Sequence, residues 1–173
     1  MHTILEMDEH NYDEALPEIR RTAVRGVIFR AGKLLMIRSS FGEVKFPGGG
    51  QEQDENDVDT LLREVREETG YHVLPESIRP FGQVVERRLS TYEPMIWHQI
   101  NRYYFCSIGK EQDACQYSEN EQKYGMHQVW VSLAEALETN REMLGREGRR
   151  PWNQREFHVL ELLAAQMNGK ETL

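Results

Sequence analysis

The glycine run Gly48-Gly49-Gly50 leads into a segment where Glu64, Glu67 and Glu68 follow one another at helical spacing. Val58, Leu61, Leu62 and Val65 recur at i, i+3, i+4 and i+7, so residues after Asn56 predict a helix with one apolar face. With Val58 at zero on that wheel, Glu64, Glu67 and Glu68 fall at about 240°, 180° and 280°. They share one arc away from the packing stripe, and their i+3 and i+4 spacing lets the side chains converge. Like charges at that spacing repel and call for a counter-charge. Mg²⁺ suits them, being a hard cation that takes oxygen ligands, keeps some waters and shares substrate phosphates. Arg63, four residues before Glu67, is placed to brace it. The glycines let backbone approach a ligand closely, since no Cβ intervenes. Asn56 is a good N-cap, Asp57 and Asp59 put negative charge at the positive helix end, and Gly70 stands where a left-handed residue ends the helix.

A length of 173 residues fits one domain with a real core. The net charge of -8 argues against a duplex nucleic-acid binder, which needs a basic face. It does not exclude a small phosphorylated substrate, because a bound metal reverses the local sign of charge. No apolar run is long enough to span a bilayer, the first residues lack the pattern of a secretion signal, and Cys106 and Cys115 are expected as free thiols in a reducing cytoplasm.

Residues 1–20 are expected to form an arm or an edge strand near Thr3, and residues 21–173 a single domain. Strands are predicted from Ala23, across the Ala31-Gly32 turn to Arg38, over Glu43–Phe46, Phe81–Arg88 and Gln128–Val131, with one long strand over Ile96–Ile108. Residues 109–126 read as an exposed polar loop. A short helix is expected over Leu133–Leu137, capped by Ser132. Pro151 suits the first turn of a last helix with the stripe Phe157, Leu160, Ala164 and Met167. Interleaved strands and helices predict an α/β fold, a mixed sheet covered by helices.

The segment Gly49–Tyr71 resembles the Nudix box, in which a glycine, a glutamate, an Arg-Glu pair, a Glu-Glu pair and a second glycine stand at fixed offsets. Gly49, Glu55, Arg63, Glu64, Glu67, Glu68 and Gly70 occupy those offsets, with Val65 and Tyr71 at the bulky positions. Asp54 departs from the glycine many members have before the box glutamate, and removes no ligand. The resemblance implies an α/β/α sandwich that hydrolyses a nucleoside diphosphate linked to a group X, with Mg²⁺ as cofactor and Mn²⁺ as a substitute. It implies that Glu64, Glu67, Glu68 and the Gly48 carbonyl hold metal, while Glu55 and Arg63 orient the loop and helix, supported by Gly49 and Gly70. Glu64 is the first candidate for general base. Some Nudix enzymes place the base on a later loop, where Glu121 and then Glu119 are the candidates.

Outside the box, Arg38, Lys45, Glu86 and Arg88 are candidate phosphate or substrate contacts, weighed against ordinary surface pairing. Trp97, Tyr103 and Tyr104 are better read as packing than as base-stacking residues. His98, His127 and His158 show no metal-ligand spacing. Arg146, Arg149, Arg150 and Arg155 read as solvated surface, with a homodimer contact left open. The proline of many ADP-ribose hydrolases is replaced by Glu86, and the NADH-type and coenzyme A-type signatures are absent. The expected partner is therefore a small-molecule nucleotide, a nucleoside triphosphate or a nucleotide sugar. A non-catalytic nucleotide sensor and a prenyl diphosphate isomerase are the alternatives.

Overall fold

Alternation along two strands divides the protein into two cores. On the strand Glu18–Val27, Val24 faces one side and Val27 the other. On Lys33–Arg38, Leu35 faces the first side, Leu34 and Met36 the second. The first core also contains Leu61 and Val65, and the second Leu160 and Leu163. Helices thus cover both faces of the strands, and the fold is an α/β sandwich. The structure is a computed structural model and describes residues 1–147 and 150–170.

In chain order the elements are β1 (Thr3–Asp8), β2 (Glu18–Val27), β3 (Phe29–Arg30), β4 (Lys33–Arg38), β5 (Val44–Lys45) and β6 (Gly48–Gly50). Then come α1 (Asp57–Thr69), β7 (Tyr71–Val73), a 3₁₀ turn (Pro75–Ser77), β8 (Arg79–Leu89), β9 (Ile96–Phe105), β10 (Ile108–Gln112) and α2 (Glu119–Lys123). The chain continues with β11 (His127–Val131), α3 (Leu133–Leu144) and α4 (Trp152–Lys170). The main sheet runs β1-β8-β9-β2-β6 and is mixed: β1 is parallel to β8 and β2 to β9, while β8–β9 and β2–β6 are antiparallel. A second sheet runs β11-β4-β3, with β5 also on β4, and β7 pairs with β10. Among the described residues no helix is long and apolar enough to cross a membrane.

Several sequence expectations shift for identifiable reasons. The long strand breaks after Phe105, where the chain leaves the main sheet to pair β10 with β7. The polar segment 109–126 contains the end of β10 and all of α2. That helix has no buried face to betray it, and a capping box between Ser118 and Glu121 starts it. Helix α3 runs on to Leu144, because the polar residue at its inner face, Asn140, is buried. Its side chain accepts from Val44 N–H at 2.9 Å and donates to Val44 O at 2.8 Å. On α1, Val58 is 38% exposed, and the buried face is Thr60, Leu61, Val65, Glu68 and Thr69. On α4, Met167 is exposed, and Phe157, Val159, Leu160 and Leu163 face inward.

Asn140 serves both polar groups of a buried edge residue, so Asn140→Ala leaves a donor and an acceptor without partners. Urea unfolding is expected to show a loss of about 1–3 kcal/mol at unchanged m-value. An unchanged midpoint contradicts this assignment.

Candidate functional site

The glycine bend is built where a side chain has no room. Gly48 has φ 138°, and a Cβ on it would collide with Val24 O and Arg25 Cα. A Cβ on Gly49 would strike the Glu64 carboxylate. Three charged side chains from three elements hold this bend. Gly48 N–H donates to Glu68 Oε2 at 2.7 Å, Phe46 N–H donates to Glu156 Oε2 at 2.9 Å, and Arg25 donates to Gly48 O at 3.0 Å and Phe46 O at 3.3 Å.

Helix α1 begins at the cap Asn56, whose side chain accepts from Val58 and Asp59 N–H, and ends at Gly70 with φ 73°. Arg63 ties it to the bend. It donates twice to Glu55, at 2.6 and 2.8 Å, and once each to Gly50 O at 3.0 Å, Glu64 Oε1 at 2.7 Å and Glu67 Oε2 at 3.3 Å. The Arg63 pair holds the Glu55 carboxyl down at about 2, and the same carboxylates push the Arg63 guanidinium up.

Glu68 is buried, and Lys45 Nζ donates to its Oε1 at 2.6 Å. Burial raises its carboxyl to about 7, opposed by Lys45 and assisted by a hydrogen bond with Glu121. Glu121 arrives on α2, fixed by Ser118 N–H and Oγ–H, both at 2.8 Å, and its Oε1 lies 3.9 Å from Lys45 Nζ. Burial pushes Glu121 up, but hydrogen bonds from Glu68 and Ser118 and the charge of Lys45 outweigh it, leaving this carboxyl low. Glu64 is raised, chiefly by burial, against the pull of Arg63. Glu67 is half-exposed.

These groups line a cleft of about 510 Å³ that takes in Lys45, Gly48–Gly50, Arg63, Glu64, Glu67 and Glu121, and also Arg25 and Gln116–Ser118. Among the described residues, no three His, Cys, Asp or Glu side chains close on one point as they stand. The protein's own cations lie between the carboxylates instead: Arg63 bridges Glu64 and Glu67, and Lys45 faces Glu68 and Glu121. The donor set around the cleft is carboxylate and carbonyl oxygen, which suits a hard divalent cation. The bend would have no room for Glu64 if Gly49 had a side chain, so the local backbone fits that use.

The other expected contacts are distributed differently. Arg38 pairs with Glu135 at 3.3 Å on the α3 side and does not line the cleft. Glu86 is engaged by Arg155 at 2.5 Å and Asn101 at 2.8 Å, so its charge is already met. Arg88 lies over Trp97 and lines a neighbouring cavity together with Glu86 and Arg25. Arg155 is 3% exposed, not surface, and pairs with Glu86 and Glu156. Arg149 lies outside the described residues. Tyr103 is core and donates to Glu156, while Tyr104 donates to Asp57. Cys106 packs in the α1-side core, where burial pushes its thiol up to about 12, and it does not line the cleft. Sequence reading missed Arg25 and Glu156. For Arg25 the signal was a lone charge inside the apolar run Val24-Arg25-Gly26-Val27, while Glu156, in the polar stretch Asn153-Gln154-Arg155-Glu156, carried no such signal.

A glycine bend packed on a helix that carries Glu64, Glu67 and Glu68, within an α/β sandwich, is the arrangement that the Nudix box specifies. The NUDIX domain model matches residues 19–154, and the chain belongs to the Nudix family. A Bacillus subtilis (strain 168) protein carrying the name "Putative ADP-ribose pyrophosphatase YjhB" is 27% identical over 86 residues, 49% of this chain and 40% of its own length. The match thus spans less than half of that relative. A NUDIX hydrolase from Nitrosomonas europaea superposes with a TM-score of 0.54 at 17% identity, covering 82% of this chain and 90% of its own. An ADP compounds hydrolase superposes at 0.58 with 19% identity, covering 88% and 76%. At these identities the structures share the fold.

In the metal-free protein the Glu68 carboxyl, at about 7, stands above its ordinary 4.5. Its contribution to stability is therefore fully present below about 4.5 and is lost as pH rises through about 7. With a chelator present, the melting temperature is expected to fall across that window. Glu68→Gln, which cannot ionise, is expected to flatten the fall, and an identical pH profile in the variant contradicts it.

Proposed function

We propose that this protein is a Mg²⁺-dependent pyrophosphohydrolase acting on a nucleoside diphosphate linked to X. The observation that carries the reading is the cleft beside Gly48 that Glu64, Glu67 and Glu121 line, with Glu68 buried next to it on Gly48 N–H and with Lys45 and Arg63 already meeting part of their charge. Nudix hydrolases generally use divalent cations. Glu64, Glu67, Glu68 and the Gly48 carbonyl would hold Mg²⁺, with Mn²⁺ as a substitute. When bound, the ion supplies charge neutralisation of the diphosphate and acidification of water.

The chain's own residues do the rest. Lys45, within reach of two carboxylates, presents an ammonium to phosphate oxygens once a metal satisfies those acids. Arg63, clamped by Glu55 and Gly50 O, fixes the positions of Glu64 and Glu67. Glu64 is the proposed base. Arg63 bonds its Oε1, which leaves Oε2 to accept a proton from the attacking water, and burial raises its basicity. Water oxygen bonds to one phosphorus, the P–O bridge breaks, and the bridging oxygen leaves on the other phosphate. Glu121 is the second candidate, supported by its place in the cleft and its hydrogen bond with Glu68.

Nucleotide sugars are favoured over nucleoside triphosphates as substrates. The partial relative named as an ADP-ribose pyrophosphatase points that way. So does the second cavity reached past Arg25, which gives room for a group beyond the diphosphate. On this reading residues 21–173 form one catalytic domain, with residues 1–20 as an arm, and the free thiols Cys106 and Cys115 suit the cytoplasm.

A panel of nucleotides with and without Mg²⁺, read by product mass, tests the proposal. At least one nucleoside diphosphate derivative is expected to be cleaved only with metal. Glu67→Gln, at a half-exposed position, is expected to keep the fold and lose about a hundredfold or more in kcat. Tight metal-dependent binding without turnover across the panel supports the sensor instead.

A further inference from the structure

Beside the glycine bend lies a cavity of about 260 Å³ that shares Arg25 with the catalytic cleft. Its charge is unusual for a chain of net charge -8. Arg25, Arg88, Arg150 and Arg155 all line it, and Glu86 is its carboxylate among the described residues. Two of these arginines are already neutralised: Arg155 by Glu86 at 2.5 Å and Glu156 at 2.9 Å, and Arg25 by Glu156 at 3.7 Å. Arg88 and Arg150 are not. Arg88 donates to the backbone oxygen of Leu89, and the Nε of Arg150 is buried with no hydrogen-bond partner. Neither has a carboxylate partner among the described residues.

Both guanidinium groups nevertheless sit over aromatic rings. Arg150 lies 3.7 Å from the centre of the Tyr124 ring and 4.7 Å from that of Phe41. Arg88 lies 5.7 Å from the centre of the Trp97 ring, which also carries Arg21 at 5.2 Å. A guanidinium stacked on a ring keeps its in-plane N–H donors free, and that fork matches the two oxygens of a carboxylate or phosphate. Two of the cavity's aromatic rings, Trp97 and Tyr124, are thus engaged by cations, and Arg88 and Arg150 leave anion-binding donors unfilled.

Resting on the hydrolase reading above, we propose that this cavity is a second anion subsite. In it Arg88 and Arg150 select substrates whose group X carries a carboxylate or phosphate of its own. The substrate class is then a nucleoside diphosphate linked to an acidic or phosphorylated sugar, in preference to a neutral one.

Matched pairs test this. UDP-glucuronate against UDP-glucose reads a carboxylate. ADP-ribose phosphorylated on its terminal ribose, against ADP-ribose itself, reads a phosphate. In Mg²⁺ buffer, kcat/KM is measured for each compound that is cleaved, and Kd by calorimetry for each that is not. At least one charged member is expected to exceed its neutral partner about tenfold or more. That ratio is expected to fall about tenfold in Arg88→Gln and in Arg150→Gln, with melting temperatures checked for both. Equal values within both pairs, a ratio unmoved in both variants, or no binding of either charged compound overturns the subsite. Cleavage without charge preference leaves the hydrolase reading standing. A charge preference in binding without any turnover keeps the subsite and overturns the hydrolase.

Discussion

The Glu68 carboxylate is the joint on which the site turns. One oxygen accepts the Gly48 N–H and the other accepts from Lys45, so a single buried side chain fixes helix α1 against the glycine bend and sets a cation beside it. Such a group is costly to bury charged and lacks bulk water to compensate it. The structure answers with two hydrogen-bond donors and with a raised protonation equilibrium shared with Glu121. Arg63, midway along the helix, completes the joint by binding Gly50 O and Glu55. The carboxylate row therefore has its spacing to the bend set at both ends.

Behind this joint lies a second ionic layer. Glu156 on α4 takes the Phe46 N–H, the Tyr103 hydroxyl and the charges of Arg25 and Arg155. Arg155 passes the linkage to Glu86, which is bonded to Asn101 on β9. Breaking a buried network of this kind by removing one member typically costs about 3–5 kcal/mol, because the remaining charge is left uncompensated. Its position links the last helix to the bend, and its member Arg25 lines both the cleft and the neighbouring arginine-lined cavity.

Much of this was legible in the sequence because it rests on local rules. Asn56 as cap and Gly70 as the left-handed terminator are consequences of helical geometry, and the structure has them where the spacing put them, whereas Glu68 leaves the expected polar arc for the buried face. What stayed hidden depends on partners distant in sequence. The helix expected to end at Leu137 runs on past Asn140, whose amide bonds Val44, ninety-six positions away. Arg155 reads as surface charge until Glu86 and Glu156 surround it. Arg38 ends a strand as expected, but its partner is Glu135 on α3 and it does not line the cleft. Residues 109–126 look like loop because α2 has no apolar face, and that helix is what delivers Glu121 to Lys45 and Glu68.

The central claim is that the α1 carboxylates and the glycine bend jointly hold a divalent cation. A crystal structure of the protein soaked in Mn²⁺, with anomalous diffraction data, tests it directly. The account predicts an anomalous peak in the cleft coordinated by the Gly48 carbonyl and by Glu64, Glu67 or Glu68, with Lys45 displaced from Glu68. Manganese bound only elsewhere, with the Arg63 and Lys45 pairs intact, would contradict it.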